Sequence, residues 1–385
     1  MKLKRFIVPA VLAASLGLAA CGGNGGASGN TSPTAGGTAP AGGATSSAAP
    51  TGGTTSAAAA NLSGKLAAGG SSAQQVAQQV WRAGFGQQNP NVTITYDPVG
   101  SGTGQTNFTS GAYKFAGSDA AMDAPTTAKA KSQCGGDPVE FPVYISPIDV
   151  AFNLKGVKSL NLDADTVANI FAGKITKWND PAIAKLNSGV SLPSTAIAPV
   201  HRSDSSGTTF NFTDYLSHAA PKSWKTPAST DWPTTKGESA EGTSGVVGAA
   251  EGGNGTIAYI DDSGVHGTKL SVAKIKVGSS YVAPSAAGAA ADLAVSKQIT
   301  GTPSSIMTYN LNRTTTDPKN YPIFMASYEI ACQSYSDSST TAIVKAWLSY
   351  IISANGQKAA AANAYSAPLP SAVAAKEQAI IDQMG

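Results

Sequence analysis

Short apolar runs rich in β-branched residues alternate along the chain with longer runs whose apolar positions recur every three to four residues. VTITY (92–96), DVAFN (149–153), AIAPV (196–200) and GTIAYI (255–260) read as strands. AQQVAQQVW (73–81) places Val76 and Val80 one helical turn apart with glutamines opposite, which predicts an amphipathic helix buried on its valine side. DADTVANIFAGK (163–174) closes at Gly173, suited to the residue just past a helix end. NDPAIAKLN (179–187) opens with Asp180 as N-cap and Pro181 at the first helical position. TAIVKAWLSYII (341–352) predicts a strongly apolar helix near the C-terminus. Strand–helix alternation predicts α/β architecture with mostly parallel sheets. No internal repeat is visible.

The first sixty residues break this pattern. Lys2, Lys4 and Arg5 precede an apolar stretch, 6–18, too short for a comfortable membrane span, and LAAC (18–21) follows. A small-residue site ending in cysteine resembles the lipobox of bacterial lipoproteins, which makes 1–21 a signal peptide and Cys21 the lipidated N-terminus of the mature chain. Residues 22–60 are almost entirely Gly, Ala, Ser, Thr and Pro, with no charge and no large apolar side chain. Such a segment buries too little to offset its ordering entropy, so it reads as a disordered tether with a reach of roughly 35 Å. From residue 61 onward the chain is globular, and its length predicts two lobes.

Charge and cysteine then narrow the function classes. Lys2, Lys4 and Arg5 account for the whole excess of 26 Lys+Arg over 23 Asp+Glu, so the mature protein is near neutral. No basic cluster remains for nucleic acid; an anion must be gripped by local geometry. Export places Cys134 and Cys332 in an oxidising compartment, which predicts a disulfide between them. Three histidines and two spare cysteines give no zinc-ligand spacing, and no metal or cofactor is expected.

The chemistry concentrates at strand–turn–helix junctions. In HRSDSSGTTFNFTDYLS (201–217) the turn, 201–206, holds Arg202, Asp204 and three serines just ahead of a helix-like pattern from Thr209 to Leu216. Helix starts present unpaired N–H groups and a partial positive charge, which suit a tetrahedral oxyanion. Arg202 adds a fork of charged donors, and Asp204 can hold that fork in place. DPVGSGTGQTNFTSG (97–111) and AAGGSSAQQ (67–75) repeat the theme, with Ser101 and Thr103 adding hydroxyls to the former. Neither is a Walker A loop or a good dinucleotide fingerprint. KFAGSDAAM (114–122) contributes Asp119. A carboxylate accepts hydrogen bonds and donates none, so beside an oxyanion site it tolerates only a guest that still carries a proton. Phosphate at neutral pH does and sulfate does not, a mismatch worth about a thousandfold or more in affinity.

GSGTGQTNFTSGAYKFAGSDAAM (100–122), IFAGKITKWNDPAIAKLN (170–187), HRSDSSGTTFNFTDYLS and GTIAYI resemble, in order and spacing, the phosphate-binding proteins of ATP-driven phosphate importers, over about 66–260. The resemblance implies a type II periplasmic binding protein fold: two α/β lobes joined by two crossing strands, with phosphate in the cleft. It implies lobe I at 61–148 and 319–385 and lobe II at 149–318. Ser72 donates its hydroxyl, Ala73 its backbone N–H and Ser101 its hydroxyl; Asp119 accepts the proton of the anion. Arg202, Ser206, Gly207 and Thr208 clamp from the second lobe, with Asp204 orienting Arg202. GGSSAQ (69–74) departs from the family pattern, which has a threonine and a large apolar residue there. The implied protein is no enzyme. It is an extracytoplasmic lipoprotein, monomeric and anchored to the membrane through Cys21, that passes inorganic phosphate to the transmembrane subunits of an ABC permease.

Two other readings remain open on the sequence. The same fold could serve another oxyanion, a phosphorylated small molecule, or a surface phosphate sensor. A phosphate-ester hydrolase could use His201 with a nearby serine, although no nucleophile elbow is present.

Overall fold

The computed structural model describes residues 61–385; the signal, the tether and Cys21 lie outside the described residues. Fourteen strands and twelve helices follow from there. The main sheet has nine strands. One edge is β2 (Val92–Asp97), β1 (Gly64–Gly70) and β3 (Phe115–Ser118), all parallel. The other is β8 (Thr256–Asp261), β6 (Ala198–Arg202) and β7 (Glu238–Ala240), also parallel. Between them run β14 (Phe324–Cys332) and the sixteen-residue β4 (Pro138–Asn153), with β9 (Ser271–Val272) beside β4. β5 (Asn161–Leu162), β10 (Lys274–Val277) and β11 (Ser280–Val282) form a three-stranded sheet, and β12 (Lys297–Gln298) pairs with β13 (Tyr309–Asn310).

The sheet is not mostly parallel. β3–β14, β14–β4, β4–β8 and β4–β9 are antiparallel. A parallel neighbour needs a crossover connection, whereas β4 runs straight from one half of the molecule into the other and β14 returns beside it in the opposite direction. β4 changes partner once: Pro138 to Pro147 face β14, and Ile148 to Asn153 face β8. All of β4 but Asn153 is buried, which explains its near-continuous apolar run.

Helices cover both halves. α1 (Gln75–Gln88), α2 (Ser101–Thr109) and α3 (Ala124–Cys134) follow β1, β2 and β3. α4 (Ala164–Phe171), α5 (Pro181–Leu186), α6 (Gly207–Ala219), α7 (Gly242–Gly252), α8 (Asp262–Val265) and α9 (Ala286–Val295) belong to the stretch between β4 and β14. α10 (Ser338–Ile352), α11 (Ala354–Ala364) and α12 (Ser371–Asp382) close the chain. Gly173 follows α4 at φ 70°, and Asp180 caps α5 with Pro181 at its first position, as the sequence predicts.

Two details differ from the sequence reading. α1 buries Ala77, Gln78, Trp81 and Phe85 rather than Val76 and Val80, which are only half-buried. The inward glutamine is bonded: Gln78 Nε2 donates to Gln74 Oε1 at 2.8 Å and to Glu329 Oε1. β6 continues through His201 and Arg202, so the turn is shorter than expected and the helix starts earlier, at Gly207.

Trp347 anchors the first half of the core against Phe85 and Phe115, with ring centroids 5.4 and 5.6 Å away. In the second half Phe212 stacks on Tyr259 at 4.5 Å and meets Phe171 at 4.8 Å. Cys134, at the end of α3, is disulfide-bonded to Cys332, at the end of β14, with Cα atoms 5.2 Å apart.

Candidate functional site

Asp119 follows the last residue of β3 and is 3% exposed. Its Oδ1 accepts from Ser71 Oγ at 2.5 Å and from Ser327 Oγ at 2.6 Å. Ser327 is fixed in turn by Gln74 Nε2, which donates to its Oγ at 2.6 Å. Oδ2 has only longer contacts, from Thr208 Oγ1 at 3.3 Å and Ser101 Oγ at 3.5 Å. One carboxylate oxygen is therefore saturated and the other loosely held. Burial pushes the Asp119 carboxyl above its usual range, against the pull of Ser327, Ser71, Arg202 and Thr208.

Arg202 ends β6, 3% exposed, and its backbone N–H donates to the Tyr259 hydroxyl at 3.1 Å. Its Nε donates to Asp204 Oδ1 at 2.7 Å and its Nη2 to Asp204 Oδ2, a two-pronged pair that fixes the plane of the guanidinium. Burial opposes ionisation of Asp204, but the Arg202 contacts and the Gly242 N–H hold its carboxyl below the usual range. Ser206 caps α6 by accepting from Thr209 N at 3.2 Å, and Phe210 N bonds Ser206 O. Gly207 and Thr208, the first two residues of α6, keep N–H groups with no partner inside the helix.

The two halves touch here. Gly102 N, at the start of α2, donates to Ser205 O at 3.0 Å. Thr243 N, at the start of α7, donates to Ser72 Oγ at 3.1 Å. A methyl group on Gly207 would lie 2.6 Å from Ser101 Oγ and 2.7 Å from Asp119 Cβ, so only glycine allows this approach. Gly100, at φ 89°, gives the same clearance opposite Asp204.

The structure thus brings Ser72, Ser101, Asp119, Arg202, Asp204, Ser206, Gly207 and Thr208 to one closed interface. Ala73 is beside them, with its N–H directed to Ser71 Oγ at 3.1 Å. Thr103 is exposed on α2. The sequence reading missed Ser71, Ser327, Gln74, Asn211 and Thr243. Only Ser71 and Gln74 carried a signal, through their neighbours Ser72 and Ala73. His201 stacks on Trp232 at 5.0 Å and its Nδ1 contacts Arg202 O at 2.9 Å, and among the described residues no serine hydroxyl is bonded to it. No group of three or more His, Cys, Asp or Glu side chains suited to a metal ion occurs among the described residues.

Two α/β halves joined by β4 and β14, with helix starts meeting across a closed cleft, define a type II periplasmic binding protein. The PBP superfamily domain matches residues 18–355. The phosphate-binding protein PstS2 of Mycobacterium bovis (strain BCG / Pasteur 1173P2) is 34% identical over 323 residues, covering 83% of this chain and 86% of that protein. The phosphate-binding protein PstS 3 of Mycobacterium leprae (strain TN) is 36% identical over 311 residues, 79% of this chain and 83% of that one. Among solved structures, the high-affinity periplasmic phosphate-binding protein PfluDING, bound with phosphate, superposes with a TM-score of 0.67 at 22% identity, over 82% of this chain and 93% of that one. The chain belongs to the PstS family of phosphate-binding proteins.

Proposed function

We propose that the protein captures hydrogen phosphate between its two halves and delivers it to the transmembrane subunits of an ABC permease, acting as a monomeric binding protein with no catalytic step. The observation that carries this reading is the uneven loading of Asp119: Oδ1 is saturated by two short bonds while Oδ2 faces the start of α6. In this reading Oδ2 accepts the proton of the anion. Ser72, Ser101 and Thr208 donate hydroxyls, Gly207 and Thr208 donate N–H groups, Ser206 holds the α6 turn, and Arg202 offers the guanidinium edge that Asp204 leaves over; the N–H of Ala73, spent on Ser71 Oγ, would have to turn from it to join them. The names of the relatives, phosphate-binding proteins all, support the choice of ligand.

The moving bodies in this reading are lobe I, 61–148 with 319–385, and lobe II, 149–318. The change of partner along β4 between Pro147 and Ile148 supports that boundary. Outside the cytoplasm the protein is held to the membrane by lipid on Cys21. No helix among the described residues is long and apolar enough to cross a membrane.

Competition calorimetry on phosphate-stripped protein tests the ligand. Phosphate and arsenate, both protonated at neutral pH, should compete for one site, and sulfate should compete at least about a thousandfold more weakly. Equal affinity for sulfate would remove the role given to Asp119, and no heat with phosphate would remove the function.

A further inference from the structure

Two buried side chains outside the anion contacts connect the site to the return strand. Asn211, 1% exposed, lies on α6 one turn after Gly207. Its Nδ2 donates to Gly207 O at 2.9 Å and, across the cleft, to Asp119 O at 2.6 Å. Its Oδ1 accepts from Arg313 Nη2 at 2.6 Å. Arg313, 3% exposed, belongs to the segment leading into β14. Its Nη1 donates to Pro322 O at 3.0 Å and Phe324 O at 2.8 Å, its Nε to Asp214 Oδ2 at 2.8 Å, and its guanidinium sits 5.5 Å from the centre of the Phe324 ring.

An asparagine amide has one accepting and one donating end, whereas a guanidinium only donates. Arg313 therefore admits only the oxygen of Asn211 on its side and turns the NH2 toward Asp119. The Asn211–Asp119 bond joins a helix of the second half to the turn after β3 in the first, so it forms only when the cleft is shut. It reaches the backbone of the residue assigned to the proton of the anion and so reports closure at that point.

We infer that Asn211 is a closing latch for the bound anion and that Arg313 is a positioning residue which sets the latch's polarity. The latch slows ligand escape without touching the ligand. Because the bond is made after the anion has entered, it acts on dissociation far more than on association. The inference rests on the phosphate reading and adds to it the residues that keep the cleft shut.

The test loads purified protein with radiolabelled phosphate and chases with unlabelled phosphate, measuring association separately. Asn211→Asp keeps the shape and the Arg313 contact but replaces the amide donor with an acceptor facing Asp119 O. Its dissociation rate should rise at least tenfold while association changes less than threefold. Arg313→Lys, which loses the fork but keeps the charge, should also speed release. The double variant Asn211→Leu/Arg313→Lys should release no faster than Asn211→Leu, since Arg313 acts through Asn211. A merely structural role would lower melting temperatures and leave the dissociation rate unmoved. Asn211→Asp with a wild-type dissociation rate, or additive effects in the double variant, would overturn the inference. Wild-type protein that retains no phosphate would instead overturn the functional reading on which it stands.

Discussion

At the scale of single residues the account turns on Asp119. In Asp119→Asn an amide takes the place of the carboxylate and can donate to an oxyanion that has no proton. Sulfate rejection, set above at about a thousandfold, should fall by roughly two orders of magnitude. Titration of each anion into the variant checks this. Acid should do the same without a mutation. Burial raises the Asp119 carboxyl, so it takes up its proton at a higher pH than an exposed aspartate, and the protonated form donates. Sulfate competition should therefore strengthen as pH falls, measured against phosphate at pH 8 and pH 5, and a flat profile would count against a titrating Asp119. Much of this candidate site was legible in the sequence because its parts cluster in short junctions: Arg202, Asp204, Ser206, Gly207 and Thr208 lie within seven positions. The supports of Asp119 were less so. Ser71, 48 residues away, was marked only by its neighbour Ser72, and Ser327, 208 residues away, by nothing, because only the folded sheet brings it to Asp119.

At the scale of elements the start of α6 carries the fit between the halves. Gly207→Ala places a methyl against Ser101 and Asp119, both held by hydrogen bonds. Overpacking of this kind costs about 1–3 kcal/mol, so phosphate affinity should fall about tenfold to a hundredfold. The melting temperature of the ligand-free protein should barely change, because the clash arises only on closure. Calorimetry paired with thermal melting separates the two. The contact of α1 with β14 yields a second prediction. Burial pushes Glu329 up to about 8, with Gln78 the opposing influence. Between the ordinary glutamate value and pH 8 the unfolded chain loses this proton while the folded chain keeps it, so stability falls as pH rises through that window. Glu329→Gln should flatten the fall: scanning calorimetry should show the variant gaining on wild type at pH 8.5 and matching it near pH 4. That face of α1 could not be read from periodicity, since Gln78 points inward to a partner on a strand 251 residues later.

At the scale of the molecule, one disulfide and one long strand tie the halves of the sequence together. The Cys134–Cys332 bond spans 198 residues, and the chain-entropy argument assigns it about 5 kcal/mol. Cys134→Ser/Cys332→Ser should melt roughly 10 °C lower, with phosphate affinity little changed because the bond lies outside the anion contacts. The pairing was legible from compartment and cysteine count alone. The α/β class was legible from alternation. The antiparallel centre was not, because a strand that crosses between halves has the same apolar composition as one buried in a parallel sheet.

The most direct measurement is a crystal structure of the protein with phosphate bound. The account predicts one phosphate oxygen about 2.5–2.7 Å from Asp119 Oδ2, the distance of a proton shared with a carboxylate, with the other oxygens on Arg202 and the N–H groups of Gly207 and Thr208. Phosphate held elsewhere, or in this cleft with Asp119 turned away from it, would contradict the account.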